Sequence, residues 1–425
     1  EWPVANRAIE LYLQKKSENE GWERQINGLS NNEKANLLLE KHTFKELLAD
    51  VEQRNLQNNI VGLEASRLFA RSEINMGVDA FRDSLYAMLK RNTFLNIKFE
   101  NMLDTLGEMS RTDLYSYLKE WEQLTPLPFY SIGEPELTKV VNKGGEEFFV
   151  LKVLVSNNSD YDGIIQMNVL QNGWWYQPME DPRARKKVEI AAHTSKEFVS
   201  VWEEQIRDVE INTMVSGNLP YMIRQSIGNV KQERNKIVKD TIYTLPESSL
   251  EMPGEVIVDN EDSTLFVLST PAVVGLLPKW LDKVEDTSFK YSGISWWRAP
   301  LQWTATTNAK YYGKYIRSAY VIKSGDGSQT ATWKIPVPEA GQYELYYHVF
   351  KDDELRWNDR LQGEYHFRVA YDSEMEDAYI NLRKANEGWE QLGTYYFSAD
   401  TVRVVLTDEC KLRSVTADAV KIVKR

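Results

Sequence analysis

The chain has 425 residues, with 51 Lys and Arg against 63 Asp and Glu and a formal net charge of -12. That length exceeds one ordinary hydrophobic core, so two to three domains are expected. The acidic balance argues against a nucleic-acid partner, which needs clustered cations. The short basic run RARKK at 183–187 reads as the solvated start of a strand.

Cys410 is the only cysteine, so no intrachain disulfide framework exists, and it reads as a half-buried structural thiol. No apolar run approaches the ~20 residues that span a bilayer, and no signal peptide opens the chain. The start at Glu1-Trp2-Pro3 reads as that of a mature or excised piece of a longer protein, its export or membrane segment removed.

Residues 1–130 read as a helical domain. Val78, Phe81, Leu85, Met88 and Leu89 recur at helical spacing, as do Phe99, Met102, Leu103, Leu106 and Met109. Thr112 can cap a third segment whose stripe is Leu114, Tyr117, Leu118 and Trp121, and Pro126 and Pro128 end the pattern. Trp2, Trp22 and Trp121 read as packing residues of the bundle. From Glu136 the period becomes two: Ile165, Met167 and Val169 alternate with polar residues, and Phe198 and Trp202 lie opposite Val199 and Val201. Asn172-Gly173 reads as a hairpin turn. This predicts a small antiparallel sandwich over 134–222, followed by a helix or linker at 223–253. A second all-β domain covers 254–425, with an insertion-like stretch at 268–286. Its clearest strands carry Ala331, Trp333, Ile335 and Val337, then Tyr343, Leu345, Tyr347 and Val349, then Tyr365, Phe367, Val369 and Tyr371. The expected fold class is multidomain α plus all-β: an N-terminal helical bundle and two antiparallel β-sandwiches, the last jelly-roll-like.

Catalytic motifs are missing from the sequence. His42, His193, His348 and His366 form no H-E-x-x-H pattern, and no nucleophile elbow, P-loop or dinucleotide fingerprint occurs. No catalytic residue and no metal ligand is assigned. The acidic clusters Asp259-Asn260-Glu261-Asp262 and Asp352-Asp353-Glu354 could take calcium through oxygen ligands, but neither has the EF-hand spacing, and both read as solvated loops. The candidate binding residues are aromatic: Trp296, Trp297, Trp303, Trp357 and Trp389, on an aromatic surface that also carries Tyr311-Tyr312. Flat apolar rings stack on sugar C–H surfaces or on peptide side chains, though packing in the core is the plainer role for any one of them.

Two resemblances stand on particular residues. VIVDNEDSTLF, KYIRSAYVIKSGDGSQTATWKIPVPEAGQYELYYHV, GWEQLGTYYF and SVTADAVKIV resemble successive blocks of the golvesin/xanthan-lyase type C-terminal domain. This resemblance implies a jelly-roll-like sandwich of exported bacterial proteins that binds carbohydrate; it does not imply xanthan lysis. NNIVGLEASRLFARSEIN, GVDAFRDSLYAMLKRNTFLNIKFENMLDTL and SRTDLYSYLKEWEQLTPLPFYSI resemble the helices that follow the active site in aminopeptidase N-type zinc gluzincins. Trp121 and Leu127-Pro128 stand where that family has its tryptophan and terminal L-P, and the first sandwich would be its fibronectin-like domain. The family's zinc helix is missing from this chain, and without its ligands no metal-bound water can be activated.

The expected function is therefore that of a non-catalytic C-terminal portion of an exported, peptidase-like bacterial protein, periplasmic or at the cell surface. It would bind a glycan or protein ligand or act as a scaffold, with an upstream catalytic or membrane part as further partner and zinc held upstream if anywhere. Two alternatives stand beside it: the C-terminal part of an active zinc aminopeptidase, and a polysaccharide-binding or xanthan-lyase-like carbohydrate-active protein.

Overall fold

The computed structural model describes residues 3–14, 20–93, 95–119, 121, 123, 126–170, 181–234, 238–247, 250, 254–269, 289–294, 298–351 and 363–425. Helices fill the first part: α1 (Pro3–Leu13), α2 (Glu20–Asn27), α3 (Asn31–Leu39), α4 (Phe44–Ala49), α5 (Gln57–Met76), α6 (Val78–Arg91), α7 (Phe99–Ser110) and α8 (Leu114–Lys119). Strands follow, so the chain is α plus β with sandwiches, as its periodicity indicates. It divides into two compact units. The first is Glu1–Asn19 with Asn31–Leu250; the second is Glu20–Ser30 with Glu251–Arg425. The helical part is thus not one contiguous block, because α2 belongs to the second unit. There the Thr307 hydroxyl donates to the Gly28 carbonyl at 3.0 Å. Gly28 itself has φ +80°, and a Cβ on it would lie 2.2 Å from the Ser292 carbonyl carbon.

In the first unit, the helices close over one core in which Phe81, Leu85, Phe99, Met102, Leu103 and Leu106 are buried at the expected spacing. Trp121 is held between Phe44 and Phe99, at ring distances of 4.7 and 6.4 Å. Met109, placed in the same stripe by its spacing, is exposed, because the buried face of α7 continues through Gly107 and Ser110 instead. The cap of α8 is Asp113 rather than Thr112: its carboxylate accepts from the Ser116 N–H at 3.0 Å, as an N-cap does for the third helical residue. Trp2, the Trp22 side chain and Asn172-Gly173 lie outside the described residues.

The sandwich of this unit contains β1 (Tyr130–Ile132), β2 (Glu136–Val141), β3 (Glu147–Asn157), β4 (Gly163–Leu170), β5 (Arg185–Ile190), β6 (Thr194–Trp202), β7 (Asp208–Asn212), β8 (Met222–Ser226), β9 (Val230–Arg234) and β10 (Thr241–Pro246). One sheet runs β10-β6-β3-β2-β9 with β1 on β3, the other β5-β4-β7-β8. Ile165, Met167, Val169, Phe198 and Trp202 meet in the core between them. Residues 223–253, read from the sequence as linker or helix, instead supply most of β8 and all of β9 and β10. Both β9 and β10 are edge strands with largely exposed residues, so neither carries the alternation that marks a half-buried strand. The pair β2–β9 is parallel, an exception to the antiparallel plan.

The basic run at 183–187 also departs from its solvated reading. Arg183 bonds Asp181 and Asp240 at the surface, but Lys187 on β5 turns in to Glu73 of α5. Glu73 accepts at the same time from the Tyr12 hydroxyl at 2.6 Å. Tyr130 presents a different case: its hydroxyl is buried without a hydrogen-bond partner among the described residues. Desolvating a hydroxyl without replacing its water costs about 1–3 kcal/mol. Tyr130→Phe is therefore expected to leave urea-denaturation stability unchanged or raise it by about 1 kcal/mol; a clear loss would contradict this account of the site.

In the second unit the strands are β11 (Glu255–Val258), β12 (Phe266–Leu268), β13 (Thr304–Thr307), β14 (Ser318–Lys323), β15 (Thr330–Pro336), β16 (Gly341–Val349), β17 (Glu364–Tyr371), β18 (Glu374–Asn381), β19 (Gly388–Phe397), β20 (Thr401–Thr407), β21 (Ser414–Ala417) and β22 (Val420–Lys424). A sheet β11-β22-β16-β19 faces a sheet β12-β15-β20-β17-β18, with β13-β14-β21 as a third, smaller sheet. Trp333, Tyr343, Tyr347, Phe367 and Phe397 fill the core with Val and Ile from both sides. Tyr371 stays on its rim, where its ring meets Tyr395 and Phe397. Most of the insertion-like stretch 268–286 lies outside the described residues.

Candidate ligand-binding face

Strand β16 positions the candidate site. Its odd residues Tyr343, Leu345, Tyr347 and Val349 point into the core, which turns Glu344, Tyr346 and His348 to the outer surface of the four-stranded sheet. In register, His348 lies opposite Trp389 of β19, and Tyr346 opposite Lys421 of β22. Tyr312, from the segment between β13 and β14, packs its ring 5.0 Å from Trp389 and 5.8 Å from His348. His348 meets Trp389 edge-on at 5.1 Å. The Lys421 ammonium sits 4.9 Å from the Trp389 ring and 5.3 Å from that of Tyr346. The same ammonium bonds the Glu255 carboxylate of β11 at 2.7 Å.

Beneath this layer lies Asp418. Its carboxylate is fully buried and accepts from the Tyr312 backbone N–H at 3.1 and 3.2 Å and pairs with His348 Nδ1 at 2.9 Å. Burial raises its pKa, with the His348 ring pulling the other way. Asp259 is raised well above the usual carboxylate range, by burial first and by the charge of Asp418 second. Both shifts carry a sign for stability. A carboxyl whose pKa is higher folded than unfolded binds its proton more tightly in the folded state. Its contribution is greatest at low pH and declines as pH rises from the unfolded value, ~3.9 for Asp, through the raised folded value. Asp259→Asn removes a partly buried carboxylate that feels the charges of Asp418, Glu261 and Asp262. It is expected to flatten the fall in melting temperature of this unit above pH 4 and to stabilise it at pH 7. A steeper fall in the variant would overturn the assignment.

The acidic cluster next to Asp259 builds a turn. Asp262 accepts from the Asp259 N–H at 2.9 Å. The Glu261 carboxylate is taken by Lys290 at 2.6 Å, by the Tyr291 hydroxyl at 3.1 Å and by the Ser318 hydroxyl. Among the described residues no group of three or more His, Cys, Asp or Glu gathers to hold a metal ion. Cys410 is half-buried against the core, and burial pushes its thiol up, away from nucleophilic character.

Of the five tryptophans singled out from the sequence, Trp389 joins this aromatic cluster. Trp303 does not: it packs against the core, its indole N–H buried without a partner among the described residues. Trp296, Trp297 and Trp357 lie outside the described residues. The residues that sequence reasoning missed are His348, Lys421, Glu255 and Asp418. His348 faces outward, opposite the apolar alternation of β16, but its side chain is only 13% exposed because Asp418 and the two rings enclose it. Nothing local in the sequence pairs it with a residue 70 positions on.

The chemistry offered here is recognition. An aromatic surface is braced by a paired cation and a buried carboxylate, within a two-sheet sandwich. Residues 297–424 match the family model of the Golvesin C-terminal domain. The stretch 254–296, included in the sequence resemblance, lies outside the matched residues. No curated protein matches the chain. Among solved structures, a CBM35 from Cellvibrio japonicus Abf62 is similar at 12% identity and TM-score 0.20, covering 31% of this chain and 90% of that one. A Bacteroides uniformis β-glucuronidase 2, covalently bound to cyclophellitol-6-carboxylate aziridine, is similar at 11% identity and TM-score 0.20, covering 73% of this chain and 31% of that one. Another Bacteroides uniformis β-glucuronidase structure gives 11% identity and TM-score 0.21 over 74% and 32% of the two chains. The chain spans about a third of the length of those glucuronidases. Among the described residues no helix is long and apolar enough to cross a membrane.

Proposed function

We propose that this chain is a non-catalytic binding or scaffolding portion of an exported bacterial protein, and that its C-terminal sandwich contacts a glycan through the surface around Trp389. The observation that carries this reading is the convergence of Trp389, Tyr312, Tyr346 and His348 on one outward sheet face, within the residues that match the Golvesin C-terminal domain. Aromatic rings held rigid by their neighbours present flat apolar area at low entropic cost, which suits the C–H face of a sugar ring. The helical part and the first sandwich are proposed to descend from a gluzincin-type peptidase scaffold, on the strength of the sequence resemblance alone. Any zinc chemistry and any membrane tether would belong to a part upstream of this chain, and the periplasm or cell surface is its proposed location.

Affinity electrophoresis in gels carrying neutral and acidic polysaccharides tests the binding role. At least one polymer should retard the chain, and Trp389→Ala should weaken that interaction by roughly tenfold or more, as loss of an aromatic anchor does. If no polymer is found whose retardation of the chain Trp389→Ala weakens, the reading fails. The rival peptidase reading makes its own demand: zinc-dependent cleavage of aminoacyl-nitroanilides by the purified chain would overturn the non-catalytic assignment.

A further inference from the structure

The five-stranded sheet of the second unit carries a different surface on its outer face. Trp333, Ile335, Val402, Val404, Leu406, Phe367 and Val369 point inward, so Lys334 of β15, Arg403 of β20 and Arg368 of β17 point outward. These strands are neighbours in the order β15-β20-β17. Lys334 lies directly opposite Arg403; Arg403 lies opposite Ala370, two residues along β17 from Arg368. Three cations therefore form a diagonal stripe across the middle of the sheet.

None of the three side chains has a hydrogen-bond or ion-pair partner among the described residues, and Arg368 Nε is buried without one. Asp377 lies directly opposite Arg368 on β18 but bonds His366 Nε2 at 2.8 Å, and Glu409 lies 3.4 Å from His366 Nδ1. Like charges directly opposite one another destabilise a sheet. In a chain of net charge -12, the stripe runs against the overall balance. At its end an aromatic platform begins. His366 stacks on Tyr379 of β18 with centroids 4.9 Å apart and planes 10° apart, and Tyr379 is 55% exposed.

We propose that this outer face is a second binding site, specific for a linear polyuronate, in which Lys334, Arg403 and Arg368 take successive carboxylates and Tyr379 stacks on a pyranose ring. The assignment rests on the reading of the sandwich as a glycan-binding module and adds a separate face and an anionic class of sugar. Guanidinium groups suit carboxylates because their planar fork bonds both oxygens. Charge alone would not distinguish a polyuronate from another polyanion; the exposed ring beside the stripe does, since it offers a sugar a stacking surface.

The test is affinity electrophoresis of the intact chain in native gels containing polygalacturonate. The parent should be retarded, and the retardation should weaken with added NaCl. The K334Q/R403Q/R368Q variant should bind at least about tenfold more weakly, with a melting temperature unchanged or higher because like-charge crowding is relieved. Tyr379→Ala should weaken polygalacturonate binding while leaving any retention by poly-glutamate unaltered. The triple variant should keep any retention by other polysaccharides that Trp389→Ala weakens, which separates this site from the one around Trp389. An unretarded parent, a triple variant that binds like the parent, or poly-glutamate bound as well as polygalacturonate would each overturn the proposal.

Discussion

Asp418→Ala should cost the C-terminal unit about 3–5 kcal/mol of unfolding free energy, the usual consequence of stripping one member from a buried, hydrogen-bonded charge cluster. The carboxylate satisfies the Tyr312 N–H and the His348 ring at once, and it has no access to water. Removing it strands both donors under the aromatic layer of Tyr312 and Trp389. Urea denaturation followed by tryptophan fluorescence would report the loss. Asp418→Asn should lose less, because an amide oxygen can still accept one bond and burial of a neutral group is cheaper. If the alanine variant lost under about 1 kcal/mol, within the range of an exposed pair, the buried cluster would not be what holds Tyr312 and His348 in place.

A loss of similar size is expected for Glu73→Ala in the first unit. The Lys187 and Glu73 side chains are 11% and 2% exposed, and the Tyr12 hydroxyl donates to the same carboxylate. Without Glu73, an ammonium and a phenol remain in a place chosen for their partner, at a cost of about 3–5 kcal/mol. The double variant Glu73→Gln with Lys187→Met should recover most of it, because neither charge is then buried. A double-mutant cycle should give a coupling of about 1–3 kcal/mol; additivity of the two single changes would contradict the pairing.

These two clusters show where sequence reading stops. The cores were legible because burial is written into local periodicity: Tyr343, Leu345, Tyr347 and Val349 occupy alternate positions of one strand, and Phe81, Leu85 and Met88 one face of a helix. Partnerships between distant segments leave no such trace. Lys187 looked like part of a solvated basic run until β5 brought it beside α5. Edge strands β9 and β10 bury little and so lack alternation. The cationic stripe is visible only once register sets Lys334, Arg403 and Arg368 on neighbouring strands. Trp389 and Tyr312 are legible by type, but their meeting with His348 and Lys421 is not, since these groups come from separate segments.

The central claim is that the C-terminal sandwich touches a glycan through the surface around Trp389. Hydrogen-exchange mass spectrometry on the intact chain, with and without a saturating amount of a polysaccharide whose retardation Trp389→Ala weakens, tests this most directly. Slowed exchange should fall in Gly341–Val349 and Gly388–Phe397, the strands that carry His348 and Trp389. Protection confined to residues 31–250 would contradict the account.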